Sequence, residues 1–409
     1  METQEKQYSF LNIIAAFMVT GFIYLASFVG PVANAVRTEF ALQLGKDPDA
    51  FAVTYKTINM IPSLMMVFLS LLSGILTSKF PIKKIVLFAA AFSITGTLIP
   101  AFTHTWGAYV ASRVVFGVGN GLLFPMASAV INQLFTGSLK DRLMGLRAGV
   151  GALMGACFTT LGGIIGRTDW RHAFMCAFIG IPLWLLILWK CPTNEVYSKA
   201  KVQGGSNEKK LTGKTYLILV ALFVFNMMMV SFQANLPLVL NGEKIAPDSA
   251  VTSTVQSTIT VCAFLAGLVF ATAKKATRRF ISPLAFVLVG VATLLACYAK
   301  TLPLFYVAAV IFGFGFGFYN PALTVAVAQS AASPKYGAIA ISVYTSVLGV
   351  AQFGSAKVLK FIAEKLGLNL GLRNDWQIAW PVVLVVTAAA VAYIMMTGGA
   401  DGKKKEEAK

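Results

Sequence analysis

Polar and apolar positions along this chain alternate on a scale of about twenty residues rather than two or four. Apolar runs long enough to cross a ~30 Å hydrocarbon layer as helices recur from end to end. They fall at roughly 10–34, 51–76, 85–102, 107–133, 143–165, 173–190, 215–239, 251–273, 281–298, 303–328, 337–359 and 377–396. The pattern predicts twelve membrane-spanning helices joined by short polar loops. The first run continues from Phe10 past Ala33, too long for a signal-peptide core of ~7–15 residues, and reads as a retained helix. One polar interruption is longer, Cys191 to Lys214, which carries Lys199, Lys201, Lys209, Lys210 and Lys214 around Gly204-Gly205-Ser206. The expected organisation is an N-terminal six-helix half over 1–190, a cytoplasmic linker over 191–214, a C-terminal six-helix half over 215–398 and a charged cytoplasmic tail over 399–409.

The two halves carry matching sequences. Arg113 to Pro125 reads Arg-Val-Val-Phe-Gly-Val-Gly-Asn-Gly-Leu-Leu-Phe-Pro, and Phe116, Gly117, Gly119, Gly121 and Pro125 return as Phe312, Gly313, Gly315, Gly317 and Pro321. Arg113 does not return; Ala309 stands in its place. Asp169-Trp170 before the sixth run is matched by Asp375-Trp376 before the twelfth, and Lys83-Lys84 by Arg278-Arg279. The order of the matches predicts an all-α membrane protein of two pseudo-symmetric six-helix bundles, a plan used by transporters.

Composition supports this reading and removes others. Of 409 residues 57% are hydrophobic and only 12% charged, too few charges to cover a water-soluble protein of this size. The net charge of +18 has a simpler source than nucleic acid. Most lysines and arginines collect on alternate loops, so the positive-inside rule places both termini in the cytoplasm of a multi-pass cell-membrane protein. The five cysteines have no metal or disulfide spacing and read as small apolar fillers. Gly213-Lys214-Thr215 ends like a phosphate-binding loop, but Glu208 stands where its first glycine belongs, and no strand precedes it. No nucleophile–histidine set or metal-ligand cluster is present either, so no enzyme, cofactor or metal is expected.

The loop after the second run reads Gly74-Ile-Leu-Thr-Ser78-Lys79-Phe-Pro81-Ile-Lys83-Lys84. It resembles the cytoplasmic signature of the major facilitator superfamily, with Ser78 in place of the usual Asp and Pro81 in place of the second Gly. Arg113 with Gly117 is similar to that family's fourth-helix motif, and Trp170-Arg171 with Phe174 to its entry into the sixth helix. The resemblance covers essentially the whole chain. It implies a secondary transporter that opens a central cavity alternately to each side. Gly74, Ser78, Lys79, Lys83 and Lys84 would then belong to the conformational machinery, together with Gly117, Gly121, Gly313 and Gly317. The antiporter signature of the fifth helix is degraded, since Ala156 follows Gly155 where proline is usual.

Candidate chemistry is confined to a few polar groups in the apolar runs. All 16 acidic residues fall in loops, tails or helix ends, so no proton-relay carboxylate is expected inside a run. The charges that remain are positive. Arg113 either meets an anionic or carbonyl-bearing substrate with its fork of donors or ties the bundle together. Lys56, which shares a helical face with Asn59 and Ser63, lines the site or, as the preferred reading, snorkels to the outer headgroups. Lys357 has the same two readings; the resemblance adds that oxalate-type exchangers of the superfamily use a lysine in that helix. Gln233, Asn235, Gln256 and Asn320 supply amides that either line the site or bond across helices.

These residues point to a small organic anion or weak acid as substrate. The alternatives are efflux of lipophilic drugs against protons and a non-transporting membrane sensor. The expected partners are the lipid bilayer, a small-molecule substrate and a coupling ion, with no nucleic acid, and the chain is expected to be a monomer.

Overall fold

In the computed structural model, residues 10–135, 137–191, 213–330, 337–368 and 371–406 are described, and among them there are helices and no strands. The first crossing is broken: α1 (Phe10–Ile23) passes through a 3₁₀ stretch at Leu25–Val32, which contains Pro31, into α2 (Ala33–Gln43). The second is also broken, with α3 (Pro48–Asn59) and α4 (Ile61–Lys79) meeting at Met60 just before Pro62. Pro62 accounts for the second interruption, because a proline ring excludes the carbonyl of the preceding turn and has no N–H to donate, and Pro31 sits near the end of the first. α5 (Ile82–Phe102), α6 (Trp106–Leu134) and α7 (Gly137–Ile165) follow. The sixth crossing is α8 (Trp170–Met175), a 3₁₀ turn and α9 (Gly180–Lys190). The remaining six are α10 (Gly213–Gly242), α11 (Ser249–Thr277), α12 (Ile281–Tyr298), α13 (Leu302–Ser330), α14 (Gly337–Lys365) and α15 (Asn374–Glu406).

Among the described residues eleven helical stretches are long and apolar enough to cross a membrane, and a shorter apolar helix, Gly149–Ile165 inside α7, is a candidate for the twelfth. Polar caps set several starts. Thr105 accepts from the Ala108 N–H at the head of α6, Asp169 from Arg171 N–H at α8, and Asp248 from Val251 N–H at α11.

The helices form two compact units. One takes Met1–Val36 and Ile58–Ser206, the other Arg37–Thr57 and Asn207–Lys409. The stretch Arg37–Thr57, the end of the first crossing and the start of the second, thus belongs with the C-terminal helices. The linker expected over 191–214 lies outside the described residues except for Cys191, Gly213 and Lys214.

The duplicated glycines occupy equivalent contacts in the two units. In the first, Gly117 and Gly121 lie against Pro62, Met65 and Leu69 of α4, while Gly119 faces Ala89 and Ser93 of α5. In the second, Gly313 and Gly317 lie against Ile259, Cys262 and Ala263 of α11, while Gly315 faces Ala285, Leu288 and Val289 of α12. A Cβ on Gly119 would stand 2.5 Å from the Ala89 carbonyl oxygen, and one on Gly317 would stand 2.4 Å from that of Ala263. Only glycine permits so close an approach, which is why small residues collect at membrane helix contacts. The sequence repeat is therefore a repeat of packing.

Candidate functional site

The second unit holds a buried polar triad. Lys56 Nζ of α3 donates to the Asp375 carboxylate at the start of α15, and at 2.9 Å to Asn235 Oδ1 of α10. Asn235 Nδ2 donates to the same Asp375 Oδ2 at 2.7 Å. All three residues are buried. Each partner answers the other's desolvation: the ammonium has two acceptors, the carboxylate two donors, and the amide uses both of its ends.

This arrangement corrects two expectations. Lys56 does not snorkel; it is turned into the protein. A buried carboxylate also exists, although Asp375 reads in sequence as part of the loop before an apolar run. The same helix start is fixed by its neighbours. Trp376 Nε1 donates to the Ser231 carbonyl at 3.1 Å. Arg373 chelates Glu243 at 2.5 to 3.0 Å and donates to the Ala296, Cys297 and Ala299 carbonyls at the end of α12. Asp169, the repeat partner of Asp375, caps its own helix and pairs with Arg171 at 3.7 Å, so the two copies of the motif have diverged in use.

In the first unit Arg113 is sealed, only 3% exposed. Its guanidinium lies 5.1 Å from the Tyr109 ring, 5.6 Å from Phe174 and 5.9 Å from Phe116. Its nitrogens donate to Ser112 Oγ at 3.2 Å and to the Gly96 carbonyl of α5 at 3.4 Å. The charge is met by ring faces and backbone between α5, α6 and α8. Contact with a substrate would require this box to open.

Asn59 also belongs to the first unit, where it accepts from the Tyr109 hydroxyl at 2.8 Å. Lys56 and Asn59 both lie on α3, and the helix breaks at Met60, between them and Ser63. Gln233 and Gln256 are half-buried in the second unit, and Gln256 Oε1 is sealed without a hydrogen-bond partner. Asn320 and Lys357 are exposed, on α13 and α14. Of the eight candidate residues, then, the structure brings together Lys56 and Asn235. In the signature loop Lys79 and Lys84 are exposed and Lys83 is half-buried, while the surroundings of Gly74 and the Ser78 side chain are not among the described ones.

A second arginine of the first unit, Arg147, also lies within a helix. Arg147 falls near the start of the fifth apolar run, 143–165. The structure starts α7 at Gly137, which puts Arg147 about 15 Å along the helix axis. It is half-buried and donates to the Ser128 hydroxyl of α6. The Tyr24 ring lies over Gly151 and Gly155, one and two turns further along α7.

The family model for the Major Facilitator Superfamily matches residues 8–356 of this chain. The chain belongs to that superfamily. A lincomycin resistance protein, LmrB of Listeria monocytogenes, is 28% identical over 182 residues, 44% of this chain and 36% of the relative. The match thus spans about a third of the relative's length. Among solved structures, a POT family transporter in complex with a thioalcohol-conjugated peptide superposes with a TM-score of 0.70 at 16% identity, covering 93% of this chain and 95% of the other. A D-xylose-proton symporter gives 0.68 at 14% identity, covering 94% and 97%. Likeness at these identities establishes the fold. The protein is a multi-pass membrane transporter of a superfamily whose members handle small molecules.

Proposed function

We propose that this transporter is a secondary active one working by alternating access, and that its substrate is a small organic anion or weak acid. One observation carries the substrate class. Asp375, the one buried carboxylate among the described residues, is already neutralised by Lys56, whereas Arg113 and Arg147 have no carboxylate partner there. Charge taken out of water demands compensation, so a ligand entering beside the half-buried Arg147 is favoured when it brings negative charge. The positive-inside distribution of the loops supports a cell-membrane location with both termini cytoplasmic. The chain is taken to act as a monomer, with each six-helix half serving as one arm of the cycle and a coupling ion driving it.

Flux into proteoliposomes holding the purified protein tests this, with carboxylates, sugars and cationic dyes offered side by side. Accumulation of a carboxylate is expected. Movement of a cationic dye with all carboxylates excluded would replace this reading by lipophilic drug efflux, which the 182-residue likeness to a lincomycin resistance protein favours. A sensor role would show instead as ligand-dependent stabilisation without flux.

A further inference from the structure

Arg147 is the cation whose surroundings the fold leaves incomplete. It stands on the face of α7 that continues through Gly151 and Gly155, spaced by four residues and hence one above the other. The Tyr24 ring lies in the groove those glycines make. A Cβ on Gly151 would stand 2.7 Å from Tyr24 Cε2 and 3.3 Å from Cζ, and one on Gly155 3.0 Å from Cδ1. The ring therefore runs along α7 with its hydroxyl end towards Gly151 and Arg147. On the far side Arg147 Nη1 donates to Ser128 Oγ, which leaves that hydroxyl's own proton available. Thr20, on α1 four residues before Tyr24 and likewise against Gly151, keeps its hydroxyl oxygen sealed without a partner.

A guanidinium has five N–H donors in a fixed fork, and one is used here among the described residues. Arg147 is half-buried. No described carboxylate pairs with it. Arg113 differs on each point: it is walled by three rings, bonded to backbone and closed off. The cluster of a guanidinium fork and two hydroxyls offers donors without a matching acceptor, the complement of an oxyanion.

We propose that Arg147, flanked by the Tyr24 and Ser128 hydroxyls, is the subsite that anchors a carboxylate or phosphate group of the substrate. This rests on the anionic reading above and names a different arginine from the one that the fourth-helix motif draws attention to. Tyr24 and Ser128 act as donors to the same oxyanion, and Gly151 and Gly155 position the Tyr24 ring.

The test is ligand-induced thermal stabilisation of the full-length detergent-solubilised protein by succinate, benzoate and inorganic phosphate, with benzamide and xylose as uncharged controls. Wild type is expected to be stabilised by at least one anion and by neither control; succinate against phosphate tells which oxyanion is held. In Arg147→Gln the apparent affinity for that anion should fall about tenfold to a hundredfold. Arg147→Lys should recover part of it. Tyr24→Phe keeps the ring in its groove and should weaken the anion several-fold, with the ligand-free unfolding midpoint unchanged. Arg113→Gln should keep the anion response. An anion response that survives undiminished in both Arg147→Gln and Tyr24→Phe overturns the subsite and leaves the anionic reading standing. No anion response in wild type, with stabilisation by a control or by nothing, overturns both.

Discussion

The Lys56 ammonium and the Asp375 carboxylate, 319 residues apart in sequence, meet as a buried ion pair that Asn235 bonds from both ends. Removing one member of such a pair leaves the other charged and unanswered, at a cost of about 3–5 kcal/mol, whereas replacing both by apolar groups is often close to neutral. Lys56→Met and Asp375→Asn should each lower the thermal unfolding midpoint markedly. Lys56→Met combined with Asp375→Leu should recover most of the loss. Additive losses in the double variant would show that the two residues stabilise the fold independently.

Arg113 should behave as a cross-tie. A guanidinium boxed by aromatic faces away from water is worth about 2 kcal/mol to the packing around it. Arg113→Met is expected to reduce stability by that order while the KM for the transported anion stays within twofold of wild type. Arg113→Lys should not restore the loss, because an ammonium cannot lie flat against Tyr109 and Phe174 while reaching Gly96. A large rise in KM with unchanged stability would instead place Arg113 at the substrate.

The glycines at the helix contacts separate by their surroundings. Gly119→Ala and Gly317→Ala force a methyl against a backbone carbonyl, so each should cost about 1–3 kcal/mol through overpacking. Gly267 of α11 has nothing within 4 Å of its missing Cβ. Gly267→Ala should therefore be neutral or stabilise by up to about 1 kcal/mol through helix propensity. Unfolding midpoints of the three variants in one detergent decide the order.

Arg373 joins the start of α15 to the carbonyls that end α12 and to Glu243 beyond α10. Those terminal carbonyls have no partner inside their own helix, so a cation there satisfies them and complements the helix dipole. Lysine keeps the charge but cannot chelate Glu243 and cap α12 at once. Arg373→Lys is expected to lose about 1–3 kcal/mol, and proteolysis between α14 and α15 should accelerate.

The parts of this fold that sequence made legible are those with local periodicity. Twelve apolar runs, and a glycine pattern repeated in the same order, are properties of short windows, and the structure turns the second into equivalent contacts of α6 and α13. The polar chemistry was harder to read, for two physical reasons. Asp375 looks like a loop residue because helix α15 begins at Asn374, ahead of its apolar stretch, and its partners come from α3 and α10. Its one local signal was the echo of Asp169-Trp170. Arg147 draws no attention because the first turns of α7 are polar, so the helix starts before hydrophobicity does. The four-residue spacing of Arg147, Gly151 and Gly155 puts the three on one face of α7.

That face also sets a length. A ring laid over two glycines four residues apart cannot slide along the helix, so the Tyr24 hydroxyl has a single height on α7, about one turn from Arg147. Gly151 and Gly155 thus work as a ruler: they add no chemistry of their own, yet they fix the distance at which a phenol and a guanidinium can share one ligand oxygen. Enlarging either glycine would alter which anions fit without touching a single charged residue.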